Sequence, residues 1–186
     1  MMLDHTNHPK TAQSAGGHLS ALTAFHLLRR FPNTPCPSLL LHFGAYDLSF
    51  LPQCFTFGPD SAILDLTKIN HFTDSFLPNT TTSQRKDPKI SPFYEDIEAF
   101  RGRLPKALFT CGTQDPLLDD TVMMGCKWLM AGGEAVIKIY SGAPHAFIAL
   151  RGVSDEAGQA AVDIESFIKE VAGEKLSGAD DVLVLN

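Results

Sequence analysis

The chain alternates between short runs of apolar residues and stretches of helical periodicity. From Ala15 onward, Leu19, Leu22, Phe25, His26 and Arg29 recur at spacings of three and four, with Leu28 also apolar, which predicts a helix ending at Phe31-Pro32-Asn33. Ser38 to Phe43 is a short apolar run closed by Gly44 and reads as a buried parallel strand. Pro105 to Gly112 and Ala135 to Tyr140 read the same way. Between them, Leu117 to Ala131 is predicted helical, with Gly132-Gly133 at its C-terminal cap. A last helix is predicted over Glu156–Ala172, its buried face formed by Ala157, Ala160, Ala161, Ile164, Phe167, Ile168 and Val171.

Two regions break the rhythm. Thr6 to Gln13 is a poor strand, interrupted by Pro9. Residues 45–104 are irregular and carry Pro52, Pro59, Pro78, Pro88 and Pro92, with helical character only over Ile63–Phe76. That stretch is too long for a plain connection and reads as a lid-like insert. The domain is expected over residues 1–176, followed by a tail over 177–186 in which Val182 to Leu185 are apolar enough to dock. Strands alternating with helices predict an α/β fold with a mostly parallel sheet flanked by helices.

Composition narrows the function. An apolar fraction of 44% and a charged fraction of 19% suit a globular protein with a hydrophobic core. A net charge of −6, spread along the chain, supplies no footprint for nucleic acid or anionic lipid. No run approaches the roughly 20 apolar residues of a membrane span. The N-terminus lacks the pattern of a signal peptide, so a cytoplasmic location is expected. Cys36, Cys54, Cys111 and Cys126 are scattered without a Cys-x-x-Cys pair, and buried free thiols are expected. The Asn79-Thr80-Thr81 sequon reads as a chance match.

Three motifs carry candidate chemistry. Ser14 stands in Ala12-Gln13-Ser14-Ala15-Gly16-Gly17, between the weak strand and the first helix. A serine on a sharp strand-to-helix turn is lifted out of the sheet as a nucleophile, and small neighbours such as Gly16 relieve crowding there. The helix N-terminus points N–H groups, among them that of Ala15, at a developing oxyanion. Asp115 follows a strand in Gly112-Thr113-Gln114-Asp115-Pro116, where open α/β sheets place site residues. It is equally a helix N-cap by type, and Asp119 and Asp120 read as first-turn helix residues. His145 stands in Gly142-Ala143-Pro144-His145-Ala146-Phe147, and its imidazole suits a general base for a serine hydroxyl. Asp47 is the fallback acid. His5, His8, His18, His26, His42 and His71 read as surface or core residues, with lining of the site mouth the alternative for His18, one helical turn beyond Ser14.

Together these segments resemble the α/β-hydrolase fold-3 group, esterases and lipases similar to hormone-sensitive lipase and arylacetamide deacetylase. Ser14-Ala15-Gly16-Gly17-His18-Leu19 resembles that group's usual Gly-Asp-Ser-Ala-Gly-Gly-Asn-Leu. Tyr46-Asp47-Leu48-Ser49, the region from Ser91-Pro92-Phe93-Tyr94 to Asp115-Pro116-Leu117, and the His145 loop are similar to its later segments. The resemblance covers roughly residues 11–172 and implies the C-terminal part of an α/β-hydrolase fold. It implies Ser14 as nucleophile, His145 as general base and acid, and Asp115 as its orienting partner, with Ala15 and Gly16 at the oxyanion. The implied reaction is hydrolysis of a small-molecule carboxylic ester through an acyl-enzyme, with no metal or organic cofactor.

The chain also departs from the group. Ala12 and Gln13 replace the usual Gly and Asp, and no His-Gly-Gly-Gly oxyanion loop occurs in the sequence. A competing expectation is therefore a non-catalytic remnant that binds a partner or an acyl ligand. A nucleotide-binding α/β domain fits less well, because no Gly-x-Gly-x-x-Gly or phosphate-loop motif is present. An exposed sheet edge favours association with a second copy as a homo-oligomer.

Overall fold

Four parallel strands pair in the order β1-β2-β3-β4, so chain order and sheet order coincide. The computed structural model describes residues 10–61 and 63–180. The strands are β1 (Lys10–Gln13), β2 (Leu39–His42), β3 (Ala107–Gln114) and β4 (Ala135–Pro144). Of the weak strand expected over Thr6–Gln13, only Lys10–Gln13 falls among the described residues. His5, His8 and Val182 to Leu185 lie outside them. The helices are α1 (Ala15–Arg30), α2 (Leu66–Phe76), α3 (Thr82–Arg85), α4 (Leu118–Met130) and α5 (Asp155–Asp180).

Alternation along the central strands explains the layers. Leu39 and Leu41 of β2 and Ala107 and Phe109 of β3 face Phe25 and Leu28 of α1 and Met124 and Trp128 of α4. Leu40 and Leu108 point the other way, against Phe167 and Val171 of α5. With side chains of alternate residues on opposite faces, these strands must be apolar throughout, which is why both read as continuous apolar runs. All four β2 residues are buried. Parallel neighbours require crossovers, and α1, the segment after β2, and α4 supply them.

Two expectations about burial are corrected. Ile168 is 39% exposed because the stripe of α5 that meets the sheet is narrow, following Ala157, Ala160, Phe167 and Val171. Of the four cysteines, all free, only Cys54 and Cys111 are buried; Cys126 is exposed on the outer face of α4 and Cys36 is partly buried. Helix α5 itself extends to Asp180, beyond the Ala172 at which its apolar periodicity stops.

Residues 45–104 are anchored rather than loose. Arg29 of α1 pairs with Glu95, and Lys127 of α4 donates to the carbonyls of Phe93 and Glu95. Ser91 Oγ accepts the Leu48 N–H at 2.9 Å and donates to the Arg85 carbonyl at 2.5 Å. Asp65 caps α2 by accepting the Lys68 N–H, and Thr81 with Gln84 forms a capping box on α3. Among the described residues no helix is long and apolar enough to cross a membrane, and no cluster of metal-ligating side chains occurs.

Candidate active site

The turn from β1 into α1 fixes the position of Ser14. Its backbone sits at φ 51°, ψ −119°, outside the regions an L-residue prefers, and its N–H donates to the His42 carbonyl at 2.9 Å. Such strain at a strand-to-helix turn holds the side chain clear of the sheet. Gly16 is not the tight point of this turn: a Cβ there would lie 3.6 Å from Ala12 Cβ, an ordinary contact, which is also why Ala12 is tolerated. The close approach is at Gly17, where a Cβ would meet the Gly44 Cα at 3.0 Å. The absent side chain there lets α1 lie against the end of β2.

The structure brings Ser14, His145 and Asp115 into one hydrogen-bonded chain. Ser14 Oγ is 3.0 Å from His145 Nε2, and His145 Nδ1 is 2.8 Å from Asp115 Oδ2. A carboxylate only accepts, so Nδ1 carries the proton and Nε2 is left to accept from the serine hydroxyl. Asp115 is fully buried, and its other oxygen accepts the Leu117 N–H at 2.9 Å. The carboxylate thus holds the turn that precedes α4 and faces the imidazole at once; it is not the N-cap of α4, a position taken by Leu117, which makes no side-chain cap bond. The Phe43 ring packs edge-on against His145 at 4.9 Å, and Ala146 adopts a left-handed conformation that turns the chain after it.

Asp47 does not join this chain. Its carboxylate accepts from the Ser49 N–H at 2.7 Å and from the Tyr94 hydroxyl at 2.8 Å. Ala15 and Gly16 open α1, so their N–H groups have no acceptor within the helix. They lie directly beside the Ser14 side chain in sequence.

Ser14 and His145 open onto a cavity of about 630 Å³. Its wall is mainly apolar: Leu48 and Phe50 after β2, Ile63 and Leu64 before α2, and Ile69 and Phe72 of α2 itself. His18, Thr73 and Phe76 complete one side. His18 Nδ1 bonds to the Ala45 carbonyl at 2.8 Å. Burial lowers its pKa, and that bond opposes the shift only in part.

Sequence reasoning missed Asp120. It does lie in the first turn of α4, but it is fully buried, and its Oδ1 accepts the N–H groups of Tyr46 and Asp47. Burial away from water raises its pKa to about 8. Its place five residues after Asp115 was the only available signal.

A family model for the alpha/beta hydrolase fold matches residues 12–149. The chain belongs to this family. It is 28% identical over 163 residues to an esterase of Acinetobacter venetianus, covering 86% of this chain and 52% of that protein. A hyperthermophilic esterase from the archaeon Pyrobaculum calidifontis superposes with a TM-score of 0.77 at 26% identity, covering 88% of this chain and 52% of that one. Carboxyl esterase 2 of the fungus Tuber melanosporum shares the fold, with a TM-score of 0.78 at 24% identity over 91% of this chain and 56% of its own. This α/β-hydrolase chain spans about half the length of the relatives it matches.

Proposed function

We propose that the chain is a serine hydrolase acting on small-molecule carboxylic esters through an acyl-enzyme. The observation that carries this is the hydrogen-bonded chain from Ser14 through His145 to Asp115 at the mouth of an apolar cavity. Relatives named as esterases support it. In this reading His145 Nε2 takes the Ser14 proton as Oγ attacks the ester carbonyl, and Asp115 stabilises the imidazolium that forms. The N–H groups of Ala15 and Gly16 face the developing oxyanion. His145 then returns its proton to the leaving alcohol, and water, activated by the same imidazole, releases the acid. No step calls for a metal or an organic cofactor. Residues 45–104 serve as the insert that encloses the substrate, since α2 walls the cavity.

One observation favours a second reading, an acyl-ligand binder with an impaired site. Ala12 and Gln13 stand where the nucleophile segment of the resembled group usually has Gly and Asp. Self-association also belongs to this proposal: among the described residues β1 pairs on one side only, with β2, and a second copy pairing on its other side would appear as a dimer in sedimentation.

A fluorophosphonate probe separates the readings. An adduct mapped to Ser14 by mass spectrometry, and absent in Ser14→Ala, is the result expected of a hydrolase. A folded chain that takes up no probe would favour the binding protein.

A further inference from the structure

His18 is 4% exposed, and its Nε2 is buried with no hydrogen-bond partner among the described residues. Its tautomer follows from its other nitrogen. Nδ1 lies 2.8 Å from the Ala45 carbonyl, which only accepts, so Nδ1 carries the proton. Nε2 of the neutral ring then holds a lone pair and can only accept. Leaving such an acceptor buried without a donor is unfavourable. Burial, which lowers the pKa of this imidazole, keeps it from meeting that cost by taking a second proton. The residue lines the same cavity as Ser14 and His145 and stands one helical turn, about 5.4 Å, along α1 from Ser14.

We propose that His18 is a specificity determinant of this cavity, its Nε2 accepting a hydrogen bond from a hydroxyl or amide N–H that the substrate carries a few bonds from its ester carbonyl. This rests on the esterase reading of the site. The preferred substrates are hydroxy-substituted or amide-bearing esters with an otherwise apolar body. The Phe76 ring stands edge-on to the imidazole at 6.3 Å and is 59% exposed on α2, so it is the part of the wall free to turn as the donor enters. A site whose buried acceptor is satisfied by the ligand rejects an analogue without the donor.

The test is binding to the Ser14→Ala protein, so turnover plays no part. Ethyl hexanoate is compared with its 2-, 3- and 4-hydroxy derivatives. At least one hydroxy ester should bind about three- to ten-fold more tightly than the parent, the span of a net neutral hydrogen bond. That ratio should fall to about one when His18→Phe is added and recover in part with His18→Gln. In the unsubstituted ring, the ¹⁵N resonance of Nε2 should move on adding the preferred hydroxy ester and stay in place with ethyl hexanoate. This second measurement needs no substitution at His18. Equal affinities for all four esters, or a preference that survives His18→Phe, overturn the proposal. A hydroxy preference in a chain that hydrolyses nothing would instead sink the esterase reading and leave the role of His18 standing.

Discussion

Asp120 of α4 accepts the backbone N–H of Tyr46 at 2.6 Å and that of Asp47 at 2.7 Å. One buried carboxyl thus fixes the loop that leaves β2 and forms part of the cavity floor. Its Oδ2 has no partner among the described residues, and burial, with Asp47 and Asp119 adding to it, raises its pKa from 3.8 to about 8. The folded state then holds a proton that the unfolded chain releases above pH 3.8. Stability from this group is fully present below that value and is lost as pH rises toward 8. The slope is at most about 1.4 kcal/mol per pH unit. Urea unfolding should show wild-type stability falling between pH 5 and 8, with a flatter profile in Asp120→Asn, which keeps an acceptor oxygen and carries no charge. Asp120→Ala strands two N–H groups, at about 1–3 kcal/mol each, and its cost relative to wild type should shrink as pH rises from 5 to 8. Parallel pH profiles for wild type and Asp120→Asn would refute the assignment.

Asp115→Asn should keep the hydrogen bond in the turn before α4 and stop the proposed chemistry. The amide oxygen can still accept from Leu117, but its NH₂ then faces His145 Nδ1 and donates to it. The imidazole proton moves to Nε2, which can no longer accept from Ser14. In a serine protease the corresponding loss of tautomer costs about 10⁴ in kcat. Ester hydrolysis and the rate of fluorophosphonate labelling should both fall by about 10³–10⁴, with circular dichroism unchanged. Labelling at the wild-type rate would remove Asp115 from the mechanism.

How far the sequence foretold this molecule depended on the kind of signal. Strands β2 and β3 were legible because burial on both faces forces continuous apolar runs, as in Leu39–His42. The positions of Ser14, Asp115 and His145 were legible because each follows a strand in order, although their contacts span up to 131 residues of sequence. Asp120 was not legible, since a first-turn aspartate looks identical whether it faces water or Tyr46. The free Nε2 of His18 was equally hidden, because it depends on which carbonyl, here Ala45, meets Nδ1. The tight glycine was misplaced by one residue: sequence pointed to Gly16, but the approach of Gly44 makes it Gly17.

Gly112→Ala should disable the site from a distance. A Cβ on Gly112 would lie 1.9 Å from the Ala143 carbonyl oxygen and 2.8 Å from Ala143 Cβ. Backbone must move, because no flexible side chain is there to yield. The ladder between β3 and β4 is already irregular between Gly112 and Gln114, where β4 leads into the His145 loop. Overpacking of this kind costs about 1–3 kcal/mol or more. Thermal unfolding should shift down by several degrees, and probe labelling of Ser14 should drop even in the folded fraction. A normal labelling rate would show that His145 tolerates the displacement.

Acid should unlock the sheet at His42. This residue is buried on β2 beside Thr110 of β3, with Nδ1 2.7 Å from Thr110 Oγ1, and its backbone carbonyl holds the Ser14 N–H. Burial lowers its pKa from 6.5 to about 4. The unfolded chain therefore takes up a proton first as pH falls, so stability present above 6.5 declines below it and is gone once pH passes the folded value near 4. The whole effect is about 3 kcal/mol at most, by the energy of one pKa unit. Burial lowers His18 as well, which adds to the same acid limb. Replacing the pair together, His42→Leu with Thr110→Val, removes the titrating group without stranding the threonine hydroxyl. Urea midpoints at pH 7, 5 and 4 should fall more steeply in wild type than in the double variant. Equal falls would mean that acid sensitivity arises elsewhere and that protonation of His42 does not threaten the turn holding Ser14.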